Sequence, residues 1–242
     1  MQDLAAAQAG QACRPPGTAG ETVSVVAQRA ETSAAPPGTL VSGIIPPLAD
    51  PYFERLETGP GLQSGLRSGQ SVVLTDGEPT EAAPAAQGGT GKTQLAAAYA
   101  LALCRARAVD VLVWVTASTR EAVLAGYAQA ASAVGAGDPD ADAQAAAGRF
   151  AAWLAHTERP WALVLDDLAD VADLAGIWPS GPGGRVVITT RLPGTAFSGA
   201  ARGGGTRASA SGPRVVPVSG FSRREALTYH TSRLVDYPDQ RI

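Results

Sequence analysis

The chain is poor in cysteine, histidine and aromatic residues. Among its 242 residues it has two cysteines, two histidines and an aromatic share of 5%. Cys13 and Cys104 lie far apart and form no metal-binding or redox pair, and His156 and His230 are isolated. These shortages exclude a disulfide framework and a zinc site built from cysteine and histidine. They favour a reducing compartment, and we expect the protein in the cytoplasm.

Long apolar runs and a strong net charge are also missing. The most apolar run, Leu95 to Cys104, is far shorter than the roughly 20 residues of a membrane span. The amino terminus lacks the basic region and apolar core of a signal peptide. A net charge of -3 argues against a protein that binds nucleic acid by charge alone. We therefore expect no membrane as partner, and the sequence gives no direct evidence for a nucleic acid.

Composition divides the chain into a tail and a domain. Residues 1–46 are rich in Ala, Pro, Gly, Thr and Ser, so a disordered tail is predicted there. Residues 47–242 alternate apolar strands with helical segments, which predicts right-handed crossovers and a parallel sheet. The strands are predicted within 71–75, 109–116, 161–167, 183–191 and 214–218, and the main helices within 94–107, 118–134, 140–156 and 222–234. The predicted fold class is α/β, a three-layer αβα domain with a five-stranded, mostly parallel sheet.

A glycine-rich stretch between the first predicted strand and helix carries the strongest functional signal. Its sequence, AQGGTGKT at residues 86–93, has a small residue, four variable positions and then Gly-Lys-Thr. Glycines let backbone N–H groups turn towards an anion, and the helix that follows adds its own unpaired N–H groups and dipole. Lys92 would bind the β- and γ-phosphates of a nucleotide, and the Thr93 hydroxyl would be a ligand of Mg²⁺.

The position of the single lysine supports the interpretation of this stretch as a phosphate-binding loop. Of the 19 basic residues only Lys92 is a lysine, and a compact ammonium suits a phosphate loop better than a planar guanidinium does. The alternative is a turn in a chain with 28 glycines. Two features depart from the usual pattern: the loop begins with Ala86 rather than glycine, and the segment 76–85 lengthens the connection from the strand.

The segment before the first predicted strand gives a further candidate. Tyr52, Phe53 and Arg55 could cover an adenine ring, or could form a surface segment held by Phe53 alone, and the sequence leaves both open. The residues predicted to bind nucleotide are Gly88, Gly89, Thr90, Gly91, Lys92, Thr93, Gln94 and Arg55.

Polar residues also end two later strands. Asp166 and Asp167 end the strand 161–167, and the predicted roles are a Mg²⁺ ligand for Asp166 and a water-orienting group for Asp167. The alternative is that this pair caps the helix that follows. Arg191 ends the next strand and is predicted to contact the γ-phosphate, rather than to be a solvated strand end. Since the carboxyl ends of parallel strands meet at one edge, loop, acids and arginine should share one crevice.

With these residues assembled, the chain resembles the NB-ARC branch of the STAND ATPases, which are P-loop NTPases. The matching stretches are QGGTGKTQLA, WALVLDDL and GGRVVITTR, and VVPVSGFSRREAL is similar to the strand and helix that follow in that family. The resemblance covers about residues 47–234. It implies a signalling module that holds ADP at rest and Mg²⁺–ATP when active, hydrolyses ATP slowly, and acts with other protein domains or partner proteins. The helical and winged-helix domains of that family are not expected in this chain.

Two other hypotheses remain open. The first is an ATPase whose output is hydrolysis itself, and the second is a truncated fragment that binds nucleotide weakly. The VLDD and ITTR stretches, and the lack of an evident second-substrate pocket, favour the switch. Turnover on the order of 1–10³ per second would favour the ATPase.

Overall fold

The computed structural model describes residues 38–50, 52, 62, 66–77, 89–198 and 212–236. Within these residues lie six strands, four α-helices and two 3-10 turns. The elements in chain order are β1 Leu40–Ser42, β2 Gln70–Asp76, α1 Lys92–Arg105, β3 Val111–Thr116, α2 Arg120–Ala133, α3 Ala143–His156, β4 Trp161–Leu168, the 3-10 turn Val171–Leu174, β5 Gly184–Thr190, the 3-10 turn Gly194–Phe197, β6 Arg214–Val218 and α4 Arg223–Asp236.

The strands form one parallel sheet in the order β1-β3-β4-β5-β2-β6. From β2 the chain passes through α1 to β3 on one side, whereas from β5 it passes to β6 on the other side. Neighbouring strands whose connections leave in opposite directions open a crevice at their carboxyl ends. The order therefore places a crevice beside the ends of β2 and β5, where the predicted site residues lie.

Side chains alternate between the two faces of the sheet. On β3, Val113 and Val115 pack in the same core as Tyr127 of α2 and Phe150 of α3. Trp114, between those two valines, packs on the other face in the core that contains α1. Strands with apolar residues on both faces are typical of parallel sheets covered by helices on each side. The predicted three-layer α/β fold is confirmed.

The sheet has six strands rather than the predicted five. The additional strand, β1, lies inside the segment 1–46 that was predicted as a tail, and it pairs with the edge of β3 from Leu40 opposite Val111 onwards. Three residues are too few to show a hydrophobic period, and this strand forms because β3 offers it an edge. Residues 1–37 lie outside the described part of the chain.

The predicted helix boundaries are right to within three residues. The first helix begins at Lys92 rather than residue 94, and α3 begins after Asp142, whose carboxylate accepts a hydrogen bond from the N–H of Ala145 over 2.7 Å. Ser222 and Glu225 form the capping box predicted for the last helix. None of the helices within the described ranges combines the length and hydropathy that a membrane crossing needs.

Cys104 lies on the buried face of α1, in the core, and is 1% exposed. Burial raises the pKa of its thiol above the ordinary value. The reactive form of cysteine is the thiolate, so a higher pKa makes this side chain less reactive at neutral pH. The structure therefore supports a packing role for Cys104.

Gly43 ends β1 at a close approach to β3. Its φ is +89°, and an added Cβ would lie 1.9 Å from the carbonyl oxygen of Trp114. We expect Gly43→Ala to strain this junction and to lower the free energy of unfolding by about 1–3 kcal/mol in urea denaturation. Gly148→Ala in α3 is the matched control, because its Cβ would meet no atom within 4 Å; it should raise stability by roughly 0.5–1 kcal/mol. Equal effects of both substitutions would contradict the expected strain.

Candidate functional site

The described end of the glycine-rich loop turns directly into α1. Gly89 and Gly91 have φ values of +77° and +87°, in the left-handed region that glycine adopts without strain. Gly91 is the N-cap residue of α1 and has no side chain to cap the first turn. The N–H groups at this helix end therefore suit an anionic ligand. Gly88, also predicted to bind nucleotide, lies outside the described residues.

The ammonium of Lys92 forms an ion pair with the carboxylate of Asp76, the last residue of β2. The hydroxyl of Thr90 donates to the same Asp76 Oδ1 over 3.0 Å. The Lys92 side chain is 10% exposed and the Asp76 side chain is 28% exposed, so the pair is partly buried. We term these three residues the Asp76 clasp. Asp76 was not among the predicted site residues, although it ends an apolar strand.

Thr93, one residue further along α1, contacts Asp166, which lies near the carboxyl end of β4. Its hydroxyl donates to Asp166 Oδ1 over 2.8 Å. The hydroxyl of Thr189 on β5 donates to the same oxygen over 2.6 Å and accepts the backbone N–H of Asp167 over 2.8 Å. Asp166 is 9% exposed, and these two hydroxyls supply the hydrogen bonds that a buried carboxylate needs. The structure thus brings together two residues that the sequence predicted as metal ligands, and adds Thr189.

Strand β4 is irregular where its acids lie. The register with β5 shifts between Leu165 and Leu168, and Asp167 has a φ of +59°. Asp167 Oδ1 lies 3.8 Å from Nε of Arg191, with side chains 56% and 70% exposed, respectively. Such an exposed pair adds little to stability. Both side chains are therefore accessible to a ligand at the carboxyl end of the sheet.

The capping alternative for Asp166 and Asp167 is wrong. The residue that caps the following 3-10 turn is Asp170, whose Oδ1 accepts the N–H of Ala172 over 2.9 Å. Asp166 instead bonds to hydroxyls on α1 and β5. The two strand-end acids therefore have no part in starting the next element.

Gln94 connects α1 to the segment that precedes β2. Its Nε2 donates to the carbonyl of Pro47 over 3.1 Å, and its Oε1 accepts the N–H of Ala49 over 2.7 Å. Both ends of the amide thus bind backbone, which fixes residues 47–49 beside the first turn of α1. The predicted contact between Gln94 and a nucleotide stays a prediction, and Arg55 lies outside the described residues.

The residues at this edge fit a Mg²⁺ ion that binds together with phosphate. Thr93 Oγ1 and Asp166 Oδ1 are 2.8 Å apart, close to the roughly 3 Å between neighbouring oxygens around Mg²⁺ with bonds of about 2.1 Å. Among the described residues no three His, Cys, Asp or Glu side chains are grouped to hold a metal by themselves. Mg²⁺ usually takes one or two protein oxygens and completes its shell with water and substrate phosphates.

No protein-family model matches the chain, and no curated protein matches it. Similar solved structures include Cdc6p from Pyrobaculum aerophilum, at 15% sequence identity and a TM-score of 0.44, over 74% of this chain and 48% of that chain. The Aeropyrum pernix ORC2 protein, solved in ADPNP–ADP complexes, has 14% identity and a TM-score of 0.39, over 72% of this chain and 48% of that one. The chain spans about half the length of these two structures. At this level of similarity the matches assign neither a family nor an activity.

Proposed function

We propose that this protein binds ATP and ADP with Mg²⁺ and acts as a nucleotide-dependent switch of the STAND type. The observation that carries the proposal is the hydrogen bond between Thr93 and Asp166. It joins the threonine of the phosphate loop to a strand-end carboxylate, which is the pair of ligands that phosphate-loop NTPases use for Mg²⁺. We propose membership of the NB-ARC branch on the basis of the sequence motifs.

Each of the predicted residues in the crevice has a specific role in nucleotide binding or hydrolysis. Lys92 and the first N–H groups of α1 bind the terminal phosphates, because both offer positive charge at the same helix end. Thr93 and Asp166 hold Mg²⁺, which when bound neutralises charge on the β- and γ-phosphates. Asp167 orients a water molecule towards the γ-phosphate, and Arg191 donates hydrogen bonds to that phosphate.

The exposure of Asp167 and Arg191 favours slow hydrolysis over sustained turnover. Their side chains are 56% and 70% exposed, and the 3.8 Å between them is long for a salt bridge. Fast catalysis requires charged groups that are held in place in a site from which water is excluded. Solvated side chains of this kind bind a phosphate without stabilising its transition state strongly. The alternative function, an ATPase with hydrolysis as its output, requires that a partner cover this edge.

A nucleotide-dependent switch also requires a domain or protein that responds to the bound nucleotide. A bound nucleotide shifts a conformational equilibrium only if ATP and ADP have different affinities for the two states. Arg191 gives this chain a contact that depends on the γ-phosphate. We propose that other protein domains or partner proteins bind this edge and respond to that contact, and that the protein works in the cytoplasm.

Ligand binding to the purified protein tests the proposal. An excess of Mg²⁺–ATP or Mg²⁺–ADP at 100 times the dissociation constant should raise the melting temperature by roughly 5–10 °C, because ligand linkage is worth about 2.7 kcal/mol. Adenosine is the control: without phosphates it should give a much smaller rise. Steady hydrolysis should stay below the roughly 1 per second at which enzyme turnover usually begins. Well-folded protein that shows no binding heat with ATP or ADP would contradict the proposal.

A further inference from the structure

We propose that Asp76 is an internal competitor of the nucleotide phosphates. In the nucleotide-free protein its carboxylate holds Lys92 and Thr90, and a nucleotide binds by displacing it from both. Asp76 thereby sets the affinity of the site for the nucleotide. This inference rests on the proposed function, because it concerns regulation of the same site.

The Asp76 clasp connects the phosphate loop to a fixed point of the sheet. Asp76 pairs with Val218 of β6, and the following Gly77 donates its N–H to the Val218 carbonyl over 3.1 Å. Thr90 and Lys92 lie on either side of Gly91, the left-handed N-cap residue of α1. One oxygen of the Asp76 carboxylate thus accepts hydrogen bonds from Thr90 and Lys92. The backbone of Asp76 and Gly77 is fixed by its pairing with β6.

The clasp involves the charge that a phosphate needs. Lys92 is the single lysine of the chain, and its side chain is 10% exposed and paired with Asp76. Breaking a partly buried ion pair leaves an uncompensated charge, which is costly unless a new partner replaces the old one. A phosphate group is such a partner for Lys92, and it repels the Asp76 carboxylate. Nucleotide binding is therefore an exchange of one anion for another.

Competition of this kind lowers the apparent affinity. If only a fraction of the molecules has an open clasp, the apparent dissociation constant rises in inverse proportion to that fraction. The alternative is that Asp76 positions Lys92 for the phosphate and helps it to bind. The two roles predict effects of opposite sign when the carboxylate is neutralised.

Asp76→Asn separates these roles, because asparagine keeps the shape of the side chain and an acceptor for Thr90 but loses the charge. In calorimetric titrations with Mg²⁺–ADP we expect the variant to bind about tenfold more tightly than the wild type. The phosphates then displace a neutral amide from Lys92, and a hydrogen bond to a neutral group is weaker than one to a carboxylate. The matched control is Asp110→Asn. Asp110 is an exposed acid just before β3, at the amino-terminal end of the sheet. Its loss changes the net charge equally and should leave the affinity within about twofold, because distant charges are screened.

A second measurement observes the clasp without any nucleotide. Because Lys92 is the single lysine, selective ¹⁵N-lysine labelling gives one side-chain ammonium resonance. Its protons should exchange slowly with water in the wild type, where Asp76 binds them. They should exchange at least several-fold faster in Asp76→Asn. Mg²⁺–ADP should restore slow exchange in Asp76→Asn and leave exchange slow in the wild type.

Tighter binding by Asp76→Asn but not by Asp110→Asn, with faster exchange at Lys92, supports the inference. Weaker binding by Asp76→Asn overturns it and makes Asp76 a positioning residue for Lys92. Equal affinities overturn it as well and leave the proposed function intact. If neither the wild type nor the variant binds Mg²⁺–ADP, the proposed function fails and the inference fails with it.

Discussion

Lys92→Ala is expected to abolish the rise in melting temperature that Mg²⁺–ATP or Mg²⁺–ADP produces. The wild-type rise corresponds to about 2.7 kcal/mol at 100 times the dissociation constant. The variant loses the ammonium that binds the terminal phosphates, while Asp76 remains beside the loop as an unpaired negative charge that repels them. Thermal unfolding with and without nucleotide measures the effect, and calorimetry confirms whether binding is lost.

The control for this experiment follows from the Asp76 clasp. In Lys92→Ala the partly buried carboxylate of Asp76 loses its cation, and this alone lowers stability. The double variant Lys92→Ala/Asp76→Asn removes both charges, so its fold should be closer to wild type in stability. It should still bind nucleotide far more weakly than Asp76→Asn does. A full thermal shift in either Lys92 variant would show that the loop does not bind the phosphates.

Asp166→Asn is expected to remove the dependence of nucleotide binding on Mg²⁺ and to reduce ATP hydrolysis by about 10²-fold or more, since Asp166 is the proposed carboxylate ligand of the metal. Asparagine retains an oxygen that can accept the hydroxyls of Thr93 and Thr189. Dissociation constants for ADP with excess Mg²⁺ and with a chelator should therefore differ in the wild type and converge in the variant.

Asp170→Asn is the matched control for Asp166→Asn. Asp170 is exposed and lies four residues further along, where it caps a 3-10 turn. Asparagine is also a good cap, so this variant should keep wild-type stability to within about 1 kcal/mol. It should also keep the full difference between Mg²⁺ and chelator. If Asp166→Asn behaves in the same way as Asp170→Asn, Asp166 is not a metal ligand.

The fold class was predictable because β2, β3 and β4 are short apolar runs separated by helical patterns. The order of the strands was not predictable in this way. It depends on which edges meet in the folded chain, and local composition carries no information about that. The same reason explains β1, whose three residues form a strand only because β3 lies beside them.

The candidate site was predictable where residues belong to a motif. Thr93 and Asp166 are 73 positions apart in the chain. Their proximity was predicted correctly from the rule that the carboxyl ends of parallel strands lie at one edge of the sheet. Asp76 was missed because its importance follows from the position of β2 between β5 and β6, which the sequence does not reveal. The motif did not predict the side-chain hydrogen bonds of Gln94, which go to backbone at residues 47–49.

The short strand β1 also determines where the protein can safely be shortened. It covers β3, whose first five residues are apolar and buried. Without β1, a strand of high β-propensity would expose unpaired backbone N–H and C=O groups along its length, which is the kind of edge on which copies of a chain aggregate. A protein trimmed to residues 47–242 would therefore lose solubility, even though the residues removed include none of those that form the crevice.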